Sequence, residues 1–261
     1  MDIRIIKLVF FWGGLIVFLL LELHKPYRPT TFSKLKRWLT NISLSISNGL
    51  LIQVFFAGLL VIIASQGVRQ PYGLLNLSRQ PFWPGFILSL LLIDLYFYAM
   101  HVLYHKVPIL WRLHRIHHSD MNMDASTAHR FHFGEICITG LLRLLVVYIL
   151  GINYTVYLIY EIFMSLAIQF HHSSIKVNGT FEKAWLLFFV PPSMHRIHHS
   201  VVIIERDSNY GVLFSFWDRL FGTLAMQVDQ QKIIIGLGSH RNFAKLGFLK
   251  LWAMPFTEKS L

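Results

Sequence analysis

Up to about residue 170 the chain alternates long apolar runs with short basic or histidine-rich segments. Leu8–Leu23 is almost unbroken, interrupted only by Gly13, Gly14 and Glu22. With its flanks it reaches the ~20 residues that a spanning helix needs. Arg4 and Lys7 before it imitate the start of a secretory signal, but His24-Lys25-Pro26-Tyr27 follows where small residues would be cleaved. An uncleaved span is therefore expected. Ile42–Ala64 is a second expected span, with Ser and Asn at its start, and Pro84–Met100 a third that runs into His101. Ile136–Leu150 and Thr155–Phe170 are somewhat short for full crossings, and the Gly151-Ile152-Asn153-Tyr154 break between them predicts a tight helical hairpin that either crosses or dips into the bilayer. From Ser173 onward the chain is more polar and punctuated by Pro191-Pro192 and several glycines, which reads as a cap. The closing Phe243–Phe256 stretch reads as lying along the membrane surface. The expected fold class is all-α.

Loop charge orients these helices. His24–Asn41 carries Lys25, Arg28, Lys34, Lys36 and Arg37, whereas Ser65–Trp83 carries only Arg69 and Arg79. Positive-inside reasoning puts the first loop in the cytoplasm and the amino terminus outside, so His101–His132 and everything after His171 also fall on the cytoplasmic side. An apolar content of 54% and a charged content of 14% agree with an integral membrane chain. In that setting a net charge of +11 reads as basic loops against an anionic leaflet, and no nucleic-acid partner is expected. The single cysteine, Cys137, excludes an intramolecular disulfide and a thiolate-based zinc or iron–sulfur site.

The remaining signal is imidazole. His-Arg-Ile-His-His-Ser occurs at His114–Ser119 and again at His195–Ser200. Each copy sets three histidines at i, i+3 and i+4, on one side of a single helical turn. His101 and His105 lie one turn apart at the end of the third span, and His132 and the His171-His172 pair follow. Imidazole ligates zinc, iron, copper and nickel. A basic helix end at lipid headgroups would be served equally by Arg or Lys, and nothing in lipid binding asks for this spacing twice. Ten histidines, 101, 105, 114, 117, 118, 132, 172, 195, 198 and 199, are therefore taken as ligands, too many for one ion and suited to two. Asp94 and Tyr98 share the face of His101, where Asp94 is placed to accept a ligand imidazole's second N–H. Glu135 is a further support, and His24, His129 and His240 read as ordinary polar positions.

The boxes resemble the fatty acid hydroxylase/sterol desaturase superfamily of integral-membrane, non-haem di-iron enzymes. The matching pieces are Asp94-x3-Tyr98-x2-His101-x3-His105, Trp111-x2-His114-x2-His117-His118-Ser119 and Asn122…Arg130-x-His132-x2-Glu135. They continue with Gln169-x2-His172-Ser173, Pro192-x2-His195-x2-His198-His199, Asn209-Tyr210-Gly211 and Trp217-Asp218-x2-Phe221-Gly222-Thr223. The chain is expected to divide into a membrane-spanning region in residues 1–83, a catalytic domain in 84–223 and a cytosolic or interfacial tail in 224–261. The resemblance covers about 84–223 and implies a four-helix-like membrane stem under a cytosolic cap, with an apolar tunnel admitting a lipid chain. It implies two iron ions held by the ten histidines (zinc being possible in isolated protein), with Asn209 and Asp218 among the supporting residues. It also implies hydroxylation or desaturation of a lipid by O2. The chain departs from the pattern at Phe133, where many members have Pro, and at His171, which makes either member of the His171-His172 pair a ligand, His172 being favoured by Ser173 after it. No dinucleotide fingerprint is present, so a separate reductase, ferredoxin or cytochrome is the expected electron donor. The alternative is a histidine-rich metal transporter or metal-binding protein, whose ligands would line a path through the spans.

Overall fold

Hydrophobic runs flanked by polar loops fold here as helices, because only an α-helix satisfies its own backbone in an apolar surrounding. A computed structural model describes residues 3–66, 73–77 and 81–257. In chain order the helices are α1 (Ile3–His24), α2 (Lys34–Gln66), α3 (Leu74–Leu77), α4 (Phe82–Lys106), α5 (Pro108–His118), α6 (Phe133–Leu150) and α7 (Tyr154–His172). They continue as α8 (Gly179–Leu186), α9 (Pro192–His198), α10 (Ile203–Arg206), α11 (Phe216–Leu220) and α12 (Phe248–Thr257). The fold is all-α; among the described residues there are only isolated β-bridges, such as Ser200 to Ile235, and no strand. Arg69 and Arg79, on which part of the loop-charge reading rests, lie outside the described residues, as do the side chains of α2 beyond Phe55.

α1 from Ile5, α4 and α6 are long and apolar enough to cross a membrane; α6, expected to be short for a crossing, gains its length by starting at Phe133. α1 exposes Leu8, Val9, Ile16, Val17 and Leu20, and α6 exposes Leu141, Leu142 and Leu145. Such surfaces drive association in water and are the normal outside of a helix in lipid. α7 is different. It packs against α1, α4 and α9 and buries Tyr157, Tyr160, Glu161, Gln169, His171 and His172, so it is the central post of the bundle. Its polar residues explain why its apolar run is the weaker half of the hairpin. Gly151 ends α6 at φ 69°, a left-handed position that glycine takes without strain, and the Asn153 side chain caps α7 by accepting the Thr155 N–H at 2.8 Å. The Glu161 carboxylate is held by Arg143 at 2.8 Å, by Lys7 and by the Tyr157 hydroxyl, which offsets the cost of its burial.

The cap sits on the ends of α4 and α7. The polar first half of α2 belongs to it, since Arg37, Asn41 and Asn48 are buried there. Arg37 makes a forked pair with Asp120 at 2.7 and 2.9 Å and reaches Asp124 at 2.7 Å. Burial alone would raise the Asp120 carboxyl, but the charges of Arg37 and Arg130 more than reverse this and leave it below the usual carboxylate range. Asp124 caps a short 3-10 turn, Ala125–His129, and Arg130 ties Ile116 and Ser119 to Asn41. These contacts lock the end of α5. The last segment closes the cap: Ile233 and Ile235 pack with Met123 and Ile197, while Leu251 and Met254 of α12 cover Ile116 and Leu44. The segment expected along the membrane surface thus supplies part of the cap's own core.

Candidate metal centre

Two short helices begin with proline in their first turn, Pro108 in α5 and Pro192 in α9, where a missing N–H costs nothing. Each carries one copy of the hexapeptide to its carboxyl end. His101 and His105 arrive on the last turns of α4, and His172 on the last turn of α7. The result is two groups of imidazoles. One comprises His101, His105, His114, His118 and His198; the other comprises His117, His172, His195 and His199. Within each group the donor atoms lie within 4.8 Å of one another.

Each hexapeptide is split between the groups. At ~100° per residue, positions i and i+4 lie about 40° apart, and i+3 falls on their other side. His114 and His118 therefore turn to the first group and His117 to the second, whereas His195 and His199 turn to the second and His198 to the first. The ring centroids of His118 and His199 are 4.5 Å apart, so the groups adjoin. The arginines of the two copies point away, Arg115 donating to the Met254 carbonyl at 2.6 Å and Arg196 to Gln230 at 2.7 Å.

Nδ1 has a partner in five of the nine rings, which decides their tautomer, whereas Nδ1 of His117, His118, His195 and His199 is buried without one. Nδ1 donates to the Tyr210 carbonyl from His101 (2.8 Å), to the Ser208 carbonyl from His198 (2.7 Å), to the Ile168 carbonyl from His172 (2.7 Å) and to the Glu135 carboxylate from His114 (2.6 Å). Asp207 stands 3.4 Å from Nδ1 of His105. Nε2 of each of these rings is thereby left as a lone-pair donor facing the group. In the first group Nε2 of His101, His105, His114 and His198 and both nitrogens of His118 are buried without a partner. Such orphaned atoms are costly unless something fills the space between them. In the second group Nε2 of His172 is 3.0 Å from that of His117 and 2.9 Å from that of His195, which is 3.1 Å from that of His199. Two nitrogens bound at ~2.1 Å and at right angles to one ion stand ~3.0 Å apart, so the spacing fits a metal. Burial, reinforced by neighbouring imidazoles, holds His117, His118, His195, His198 and His199 well below the usual histidine range. They are neutral, the form that ligates.

Nine of the ten expected ligands are thus gathered, and His132 is not among them. Its Nδ1 accepts the Gly134 N–H at 3.0 Å, capping α6, and its Nε2 donates to the Trp252 carbonyl at 3.3 Å, so no lone pair is left for a metal. His171 lies beside the second group, its ring centroid 4.1 Å from that of His195, while His172 is the member of the pair inside it. Asp94 does not support a ligand imidazole as expected. Its carboxylate accepts from the Tyr160 hydroxyl (2.6 Å), Trp217 Nε1 (2.9 Å) and the N–H groups of Leu213 and Phe214. It anchors the 208–218 loop on α4. Tyr98 bonds Thr223 at 2.8 Å, Asp218 accepts the N–H groups of Tyr210 and Gly211 at 2.7 Å each, and Asn209 ties Met194 to Ala225 at φ 57°. All four thus shape the loop whose carbonyls hold His101 and His198. Sequence reading missed Asp207 and the carbonyls of Ile168, Ser208 and Tyr210; a backbone carbonyl has no residue signature to find.

The fold and this site define a helical membrane protein with a paired, all-imidazole core able to hold metal. A family model for fatty acid hydroxylases matches residues 86–223, more than half of the chain, and the chain belongs to that family. An ornithine lipid hydroxylase of Rhizobium tropici is 31% identical over 186 residues, covering 68% of this chain and 54% of that protein. The alkylglycerol monooxygenase of Homo sapiens is 29% identical over 171 residues, 65% of this chain and 36% of that protein. The cholesterol 25-hydroxylase of Mus musculus is 27% identical over 140 residues, 53% of this chain and 46% of that protein. The chain therefore spans about half or less of the length of these relatives. No solved structure matches it significantly.

Proposed function

We propose that the chain is a membrane-bound lipid hydroxylase whose nine gathered histidines hold two iron ions on the cytoplasmic side. The observation that carries this reading is the meeting of the imidazole groups with an apolar cavity. The cavity, of about 240 Å³, is lined by Phe97, Met100, Phe131, Ile136, Met164 and Ile168 and reaches His101, His114, His117, His172 and His195. Its walls, mostly apolar with Glu135, Thr139 and Arg143 as polar members, suit an alkyl chain. The relatives named as hydroxylases and a monooxygenase act on lipids, which agrees with that shape. Iron there would supply activation of O2, one oxygen atom entering a C–H bond and the other leaving as water. The electrons come from a donor outside these residues, a cytochrome, ferredoxin or reductase, since the chain has one cysteine and no dinucleotide loop. A transporter would string its ligands along the spans, whereas these converge at one end.

The chain's own residues set geometry. Glu135 and the Ser208 and Tyr210 carbonyls fix ring orientation, and the cavity wall fixes which carbon reaches the histidines, a positioning effect. Gly140 lines that wall, and a Cβ added there meets nothing within 4 Å. Gly140→Leu should fold and change how far a chain enters. The test is metal analysis of freshly purified protein together with lipid profiling with and without expression. Two metals per chain and a new oxygenated lipid, shifted in position by Gly140→Leu, are expected; protein without metal after iron loading would refute the reading.

A further inference from the structure

A second cavity of about 230 Å³ lies in the cap, and its chemistry is the opposite of the first. Three guanidinium groups, from Arg28, Arg196 and Arg241, line it with Thr31, Asn122 and Ser173, and no carboxylate does. The hydrogen bonds that place these arginines run to neutral acceptors: Arg28 to the Ile233 carbonyl, Arg241 to the Ile235 carbonyl and Arg196 to the Gln230 side chain, each at 2.7 Å. Neighbouring acids bond to other groups. Asp120 and Asp124 hold Arg37, Glu182 accepts the Ser193 N–H, and Glu22, behind the lining residue Ser174, accepts the N–H groups of Ala125 and Ser174 on Oε1 while its Oε2 is buried without a partner. Arg28 and Arg196 share the Tyr27 ring, at 5.4 and 3.8 Å from its centroid, so two like charges are held close together. Gly236, at φ 112°, makes the turn before Arg241, and an added Cβ there would meet Arg241 Nη1 at 3.2 Å. Arg28 Nη2 and the Ser173 hydroxyl are buried with no partner.

We propose that this pocket binds a phosphate-type oxyanion. Forked guanidinium donors match phosphate oxygens, the unpartnered donors need an acceptor, and a doubly charged oxyanion relieves the repulsion among three cations. The volume is below that of sites for drug-sized ligands, so one tetrahedral group fits better than a nucleotide. Arg28 follows closely on His24, where the first span ends, so the group can belong to a lipid phosphomonoester or be free phosphate. Ser173 adjoins His172 and Arg196 adjoins His195, so the pocket backs onto the metal-binding segments.

The test uses the metal-loaded chain in dodecyl maltoside, which contains no phosphate, titrated with inorganic phosphate by calorimetry at low salt. Saturable binding is expected, weakened about tenfold or more in R28Q and in R241Q. Repeating the titration with phosphatidic acid in the micelles separates the sources. Loss of the phosphate signal assigns the site to a lipid headgroup, and an unchanged signal assigns it to a soluble ligand. Absence of saturable binding to the wild-type protein, or equal affinity in wild type and folded variants, overturns the proposal. The wild-type titration decides the matter should a variant fail to fold.

Discussion

Glu135 gives the sharpest test of the two-group arrangement. Its carboxylate is 2.6 Å from Nδ1 of His114, between side chains only 4% and 7% exposed, and its other oxygen is buried with no hydrogen-bond partner. A charge-assisted hydrogen bond is worth ~1.5–3 kcal/mol net, roughly twice a neutral one. Glu135→Gln keeps an acceptor and removes the charge, a loss of ~1–1.5 kcal/mol, or about tenfold in affinity. Glu135→Ala also leaves a buried N–H without an acceptor, which brings the loss toward a hundredfold. The assay is competition against a chelator of known affinity on purified protein loaded with iron or zinc. Only the ion held by His101, His105, His114, His118 and His198 should weaken, while the other is retained. Equal weakening of both ions, or of neither, would refute the assignment.

Adjacent histidines should behave as unlike residues: His117→Ala should deplete the ion of the second group and His118→Ala that of the first, distinguishable by stoichiometry and by metal spectroscopy. His132→Ala should retain both metals and cost about 1 kcal/mol of stability, the worth of a helix cap, read as a lower melting temperature with unchanged metal content. Asp94→Ala strands four buried donors, so a loss of ~3 kcal/mol or more is expected, visible as rapid thermal inactivation. For metal-free protein the pH dependence follows from the depressed histidines. The unfolded chain takes up protons near pH ~6.5 and the folded core does not, so stability is fully present above that value and falls below it by about 1.4 kcal/mol per pH unit for each such histidine. Chemical denaturation between pH 5 and 8 measures this, and a flat profile would show that the core histidines titrate as in the unfolded chain.

The sequence alone determined the helical membrane class and nearly all of the imidazole core. Both signals are local: the transfer of an apolar run into lipid is a sum over its own residues, and histidines at i, i+3 and i+4 share one helical turn whatever surrounds it. The hairpin was legible for the same reason, through the Gly151 to Tyr154 break. Tertiary structure decided everything that depends on a partner distant in sequence. Asp94 shares the face of His101, yet its oxygens are claimed by Tyr160 and the Leu213–Trp217 segment, more than sixty residues away along the chain. His132 fits the spacing of a ligand, yet both of its nitrogens are taken by Gly134 and Trp252. By spacing alone, each hexapeptide is one cluster of three histidines on a single helical turn. Helical phase instead sends each copy's i and i+4 rings to one group and its i+3 ring to the other, and only the packing of α5 against α9 through α4 and α7 shows which group is which. A residue's type sets what it is able to bind, and the fold, by deciding which of its atoms are already satisfied, sets what it does bind.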